Sequence, residues 1–255
     1  MKIIKIMKKY LILIALTVFT AGEGFAINSY FKGDTLMVWA EGGLSIRDTN
    51  SLSGQRMGVI PYGGKVIVKS TKLFRIHEEE IKLTSAFQGE DEPDYVEVSL
   101  SGKWVKVMYG DLEGYVFDGY LSKYAAPRIL ENRYSEGLHD YLSREFGLLS
   151  HKEASDGDYF FRETYYGGGV SLLNSGEKSA YIRIILPGFS MEEIVLFLKN
   201  SDLAREHGGL RLYKNRFVEE EQFRTLGFMF THGVDVQITI TILREMVIFE
   251  TSSAC

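Results

Sequence analysis

At 255 residues, with 45% hydrophobic and 25% charged side chains, the chain has the composition of one or two ordinary globular domains with real cores. That excludes a disordered polymer and a bundle of membrane helices. The formal charge is −5; setting aside Met1–Ala26 removes four lysines and Glu23 and leaves 25 basic against 33 acidic residues, or −8. An acidic balance of this size lacks the basic footprint of a nucleic-acid binder and argues against non-specific attraction to anionic wall polymers or lipid.

Met1–Ala26 carries Lys2, Lys5, Lys8 and Lys9, then an apolar run from Tyr10 to Phe19, then Gly24 and Ala26 at −3 and −1 of a cleavage point. This is the pattern of a secretory signal peptide, and its apolar run is too short to cross a hydrocarbon core of about 30 Å as a helix. The expectation is export to the periplasm, cell envelope or medium, with no stable membrane span after cleavage. No cysteine stands at the cleavage point, and Cys255 is the only one in the chain. Without an internal disulfide, stability must come from the core.

The next stretch is β-patterned. "LMVWAEGGLSIRD", "RMGVIPYGGKVIVKS" and "KWVKVMYGDLEGYVF" are short runs punctuated by Gly42-Gly43, Gly63-Gly64, Gly110-Asp111 and Gly114. Val66 and Val68 alternate with Lys65, Ile67 and Lys69, while Val105, Val107 and Tyr109 alternate with Trp104, Lys106 and Met108. Period-two runs between glycine turns predict a small all-β barrel or sandwich. Asp118 is placed to N-cap the short turn "DGYLSK". Between the second and third runs, residues 69–102 form an insertion holding Glu78, Glu79, Glu80, Glu90, Asp91, Glu92 and Asp94. No calcium-loop spacing relates those acids, so the insertion reads as a solvated extended hairpin.

In order, "LSIRD", "GVIPYGGKVIV", "GKWVKV", "EGYV" and "YL" resemble the bacterial SH3-like family over residues 34–124. The resemblance implies a small barrel that binds peptidoglycan or a peptide or protein partner of the envelope, through loops and exposed aromatics. On that reading the contacts are drawn from Arg47, Asp48, Tyr62, Trp104, Tyr115, Phe117 and Tyr120. Several of these must also fill the core, Trp104 and Tyr120 before the others.

Pro127 in "SKYAAPRILENR" disfavours helix at Ala126 and marks a boundary, so residues 128–255 form a second domain. Leu130, Tyr134, Leu138, Leu142 and Phe146 recur at helical spacing, with Gly147 as the stop. Aromatic-rich strands "DYFFRETYY" and "AYIRIILP" follow, with Gly167-Gly168-Gly169 between them as a hairpin turn. In "GFSMEEIVLFLKN", Ser190 and Glu193 make a capping box, and Phe189 and Ile194 a hydrophobic staple. In "DVQITITIL", Val236, Ile238, Ile240 and Ile242 face one way and Gln237, Thr239 and Thr241 the other, with "EMVIFETS" as partner strand. The fold class is therefore mainly β: a small SH3-like β-barrel, then an α+β domain with an antiparallel sheet and two or more helices.

Catalytic signatures do not emerge. Cys255 is terminal and unsuited to an oriented nucleophile. His77, His139, His151, His207 and His232 lack any zinc spacing. "GFSME" holds half of a nucleophile elbow, and "GGGVSLLNSG" lacks the lysine of a phosphate loop. Glu163, Glu192 and Glu193 are acids that a two-carboxylate glycosidase would draw on, yet no pattern singles them out. The expectation is a non-enzymatic docking protein without cofactor, metal or nucleic acid. A wall hydrolase acting through residues 128–255, or an inhibitor that offers an acidic face to a basic partner, is the alternative.

Overall fold

In the first half of the chain, burial alternates as the sequence pattern demands. The structure is a computed structural model that describes residues 30–70, 79–82, 95–96, 99–130, 136–177, 180–200, 212–213, 218–220, 223–231, 235–243 and 246–254. Met1–Ala26, Tyr134, His77, His207, His232, Cys255 and the acids Glu78, Glu90, Asp91, Glu92 and Asp94 lie outside the described residues.

Among the described residues, ten strands precede Pro127: β1 Thr35–Val38, β2 Leu44–Arg47, β3 Arg56–Ile60, β4 Lys65–Ser70, β5 Glu79–Lys82, β6 Tyr95–Val96, β7 Ser99–Gly102, β8 Trp104–Tyr109, β9 Leu112–Phe117 and β10 Leu121–Ser122. Seven of them pair antiparallel in the order β10-β1-β4-β8-β9-β2-β3. Val66, Val68, Val105, Val107 and Val116 point inward with Leu36, Val38, Ile46 and Ile60, while Lys65 and Ile67 point out. Gly114 is obligatory at the crossing of β9 over β2, because a Cβ there would lie 2.6 Å from the Arg47 carbonyl oxygen.

Two expectations for this half need correction. Asp118 opens a 3-10 turn rather than capping it, with Phe117 at the cap position. Its carboxylate instead accepts the Lys103 N–H at 2.5 Å and the Tyr30 hydroxyl at 2.6 Å, which pins the chain entering β1 to the base of the β8–β9 hairpin. The acidic insertion is not only a hairpin. β5 and β7 do pair, from Glu79↔Gly102 to Lys82↔Ser99, but β6 crosses to the second sheet and pairs there with residues 212–213.

That second sheet is built from β11 Leu148–Asp156, β12 Tyr159–Tyr166, β13 Ser171–Gly176, β14 Ala180–Pro187, β15 Leu212–Tyr213, β16 Val218–Glu220, β17 Phe223–Thr231, β18 Asp235–Leu243 and β19 Met246–Ala254. Their antiparallel order is β11-β12-β13-β14-β19-β18-β17-β15-β6, with β16 on β17. Ile238 and Ile240 are fully buried and Thr239 and Thr241 are not, as the alternation in β18 requires. Two helices complete the described elements, α1 Leu138–Phe146 and α2 Met191–Asn200.

α1 is shorter than its apolar periodicity suggests. Leu130 lies before the helix and is 46% exposed. The helix begins only after Gly137, which is extended at ψ 149°, and ends at Gly147 with φ +72°. Side chains tie residues 125–128 and Glu136 to α1. Arg144 grips Glu136 through two nitrogens, at 2.5 and 3.2 Å, and donates to the Ala126 carbonyl at 3.2 Å. The Glu136 carboxylate accepts the Arg128 N–H, Glu145 accepts the Ala125 N–H, and the Tyr62 hydroxyl donates to the Pro127 carbonyl. With Glu136 buried, losing Arg144 would leave an uncompensated charge.

α2 carries the capping box that its sequence announces: the Ser190 N–H reaches Glu193 Oε2 at 2.7 Å, and the Glu193 N–H reaches Ser190 Oγ at 3.2 Å. Met191, Ile194, Val195, Leu196 and Leu198 are all buried, so the helix is apolar on most of its circumference. They join one core cluster with Ile184, Ile240 and Phe249 of the large sheet and with Trp39, Leu100 and Phe117 from the first half. The two sheets thus share a core.

Glu193 completes the joint by accepting the Ser122 hydroxyl on β10. Burial raises its carboxyl from 4.5 to about 7, against the opposing pull of its hydrogen bonds to Ser122 and Ser190. The neutral acid is the form the fold prefers, so its contribution is complete below pH 4.5 and lost as pH rises through 7. Glu193→Gln, which mimics the neutral acid, is expected to be the more stable protein above pH 7, on the order of 3 kcal/mol at most. Thermal unfolding of both proteins from pH 4 to 9 checks this: the gap should open with rising pH, and a constant gap would contradict it.

Candidate functional site

A concavity of about 310 Å³ opens where the first sheet meets the end of α2. The turn between β1 and β2, with Glu41 and Gly42-Gly43, forms one wall. β2 contributes Arg47, because Leu44 and Ile46 alternate into the core and leave Ser45 and Arg47 outside. β8 contributes Trp104 by the same logic, its neighbours Val105 and Val107 being internal. Lys199, in the last turn of α2, closes the far side.

The floor is aromatic. Trp104 and Phe117 are direct cross-strand partners, with ring centroids 6.3 Å apart at 65°. Phe117 and Tyr120 meet at 6.0 Å and 67°. Edge contacts of this kind contribute about 0.5–1.5 kcal/mol each beyond area burial. The Trp104 indole N–H is buried without a hydrogen-bond partner among the described residues. A buried donor left unmade costs about 1–3 kcal/mol, which the packing of the floor must offset.

Electrostatically the concavity is positive within an acidic chain. Arg47 is oriented by donating from Nη1 to the Gly54 carbonyl at 2.6 Å. Lys199 sits where the helix dipole favours a cation. Exposed Glu41 is the acid on the rim.

Four of the seven residues picked from sequence therefore converge here: Arg47, Trp104, Phe117 and Tyr120. Tyr115 lies one row along the same outer face, directly opposite Arg47 and Lys106. Asp48 is exposed in the loop after β2, its N–H bonded to the Gln55 carbonyl. Tyr62 is elsewhere, half-buried and committed to the Pro127 carbonyl. Phe117, assigned above as a ligand contact, is 1% exposed; it supports the floor from below and offers no free face, because β9 ends inside the shared core. Lys199 and Ile81 also line the concavity and went unpicked. No local signal marks Lys199, which is brought there by a helix far along the chain.

The acids considered for hydrolysis do not converge. Glu163 sits on β12 with Lys152 opposite it, whereas both oxygens of Glu193 are taken by Ser122 and Ser190. The elevated Glu193 carboxyl is explained by its place in the joint. Among the described residues, no group of three or more His, Cys, Asp or Glu side chains is arranged to hold a metal ion.

No family model matches the chain, and comparison with curated proteins and with solved structures found no significant match.

Phe117→Ala is expected to destabilise the protein by about 3–5 kcal/mol, since it empties a filled position between the two sheets. Tyr120→Phe, which keeps the ring, should change stability by less than about 1 kcal/mol. Denaturant unfolding of both variants tests the division between support and surface.

Proposed function

We propose that the protein is an exported, non-enzymatic docking protein of the cell envelope, in which a bacterial SH3-like barrel supplies most of the ligand-binding wall. One observation carries this reading: Arg47, Trp104 and Tyr120, chosen from sequence on the SH3-like resemblance, line one concavity with Lys199. The signal-like Met1–Ala26 supports the compartment.

The ligand class follows from the lining. Two cations and an aromatic floor suit an extended peptide that bears a carboxylate, such as the stem peptides of peptidoglycan. The carboxylate meets Arg47 and Lys199, and an apolar side chain covers Trp104 and Tyr120. Charge-assisted hydrogen bonds provide the orientation and the aromatic surface the holding energy.

Because the two sheets share a core, the test uses point variants of the whole protein rather than a deletion. Co-sedimentation with insoluble peptidoglycan is measured at low and physiological salt. Wild-type protein should sediment at both, and Arg47→Ala/Lys199→Ala should reduce the bound fraction at least about tenfold in affinity, the loss expected for two charge-assisted contacts. Sedimentation unchanged by the double substitution would remove the concavity from the account. No sedimentation of the wild type would redirect it to a protein segment, to be sought by crosslinking.

A further inference from the structure

The turn end of the hairpin of β11 and β12, around Tyr159 and Phe160, takes no part in the joint or in the concavity. Tyr166, at the other end of β12, belongs to the shared core. Every residue of β11 is exposed, and Tyr159 and Phe160 at the start of β12 are 47% and 40% exposed. Strand register arranges two rows of side chains across three strands. Glu153 lies opposite Arg162, which lies opposite Asn174; in the next row Ser155 lies opposite Phe160, which lies opposite Gly176. Directly opposed residues share a face, as do alternate residues on one strand, so the two rows form one patch. A trough of about 400 Å³ lies over it.

The composition of the rows selects a ligand. Ser155 and Gly176 flank Phe160 and are too small to cover its ring. Arg162 Nε donates to Glu153 at 2.6 Å, which pairs the two half-exposed groups and leaves them without net charge. Asn174 lines the trough, and its Oδ1 is buried with no hydrogen-bond partner among the described residues. A bare aromatic face thus adjoins a carboxylate, a guanidinium and a carboxamide in one row.

An anion or a cation finds its counter-charge already neutralised here. An apolar ligand would desolvate the polar row without replacing its hydrogen bonds. A hexopyranose meets both demands. Its C–H face is apolar and slightly positive, suited to the negative face of an aromatic ring. Its neighbouring hydroxyls both donate and accept, as a carboxylate beside a guanidinium and an amide requires.

We propose that this patch is a carbohydrate-binding site for an uncharged hexopyranose unit, stacked on Phe160 and hydrogen-bonded by Glu153, Arg162 and Asn174. It is separate from the peptide-binding concavity and does not depend on it.

Calorimetric titration of the whole protein with chitotetraose, cellotetraose and maltotetraose tests the site and separates an N-acetylated wall-type glycan from plain glucans. At least one tetrasaccharide should bind, and Phe160→Ala should weaken it by about tenfold or more. Asn174→Ala should weaken it by a smaller factor. Lys152→Ala, on the opposite face of β11, should leave it unchanged, as should Arg47→Ala/Lys199→Ala. Unfolding midpoints near wild type establish that the exposed substitutions leave the fold intact. No binding of any of the three at millimolar concentration overturns the site. So does binding indifferent to Phe160→Ala, or binding abolished only by the Arg47/Lys199 substitutions, which would place the sugar in the concavity.

Discussion

A carboxyl group held away from water sets how the two sheets meet. Glu193 must satisfy both of its oxygens inside the core, and it does so with the N–H of its own helix cap and with the Ser122 hydroxyl on the last strand of the first sheet. Ser122 Oγ in turn accepts the Tyr124 N–H at 2.9 Å, so the hydrogen-bonded chain runs from the first sheet through β10 into α2. Tyr124 stacks on Phe189, just before the helix, with centroids 4.3 Å apart and rings within 9° of parallel. Moving α2 by even one residue would leave a buried carboxyl without partners, a larger penalty than most single packing defects. The helix is therefore indexed against both sheets at once.

The remaining joint elements depend on that registration. The Trp39 indole donates to the Tyr124 carbonyl and its ring meets Tyr141 of α1 edge-on at 6.1 Å. Arg144, Glu136 and Glu145 clamp Ala125, Ala126 and Arg128 just after Tyr124 against α1. Lys199 reaches the aromatic floor only because α2 is anchored at its other end. The concavity is a by-product of the joint, placed at an inter-unit boundary, as ligand sites often are.

Local chemistry was legible and distant geometry was not. The inward valines of β4 and β8, the isoleucines of β18 and the capping box of α2 followed from periodicity and spacing alone, because each depends on residues within a few positions. Asp118 failed as a cap because its partners, Tyr30 and the Lys103 amide, are tertiary. The extent of α1 failed for a related reason: Leu130 continues the apolar repeat, but Gly137 and the clamp on Glu136 outweigh a weak propensity. Arg47, Trp104 and Tyr120 were selected by family pattern, whereas Lys199 could be found only once α2 had been placed. The Glu153–Arg162–Asn174 row was invisible too, since it exists only in the registers of three strands.

The passage of β6 into the second sheet has a consequence for how the molecule is made. Tyr95 and Val96 find their backbone partners at Tyr213 and Leu212, so more than a hundred residues must be laid down before that bridge can close. Trp39, Leu100 and Phe117 likewise wait for α1 and α2 to cover them. The first sheet is therefore not a finished object when its own last strand emerges. Its inward row from Leu36 to Leu121 closes a cluster within the first half. Trp39, Leu100 and Phe117 stay uncovered until the C-terminal half arrives, a long-range closure of the kind that slows folding. A chain built this way can complete one core from its first half and must leave the other to be closed by its last strands and helices.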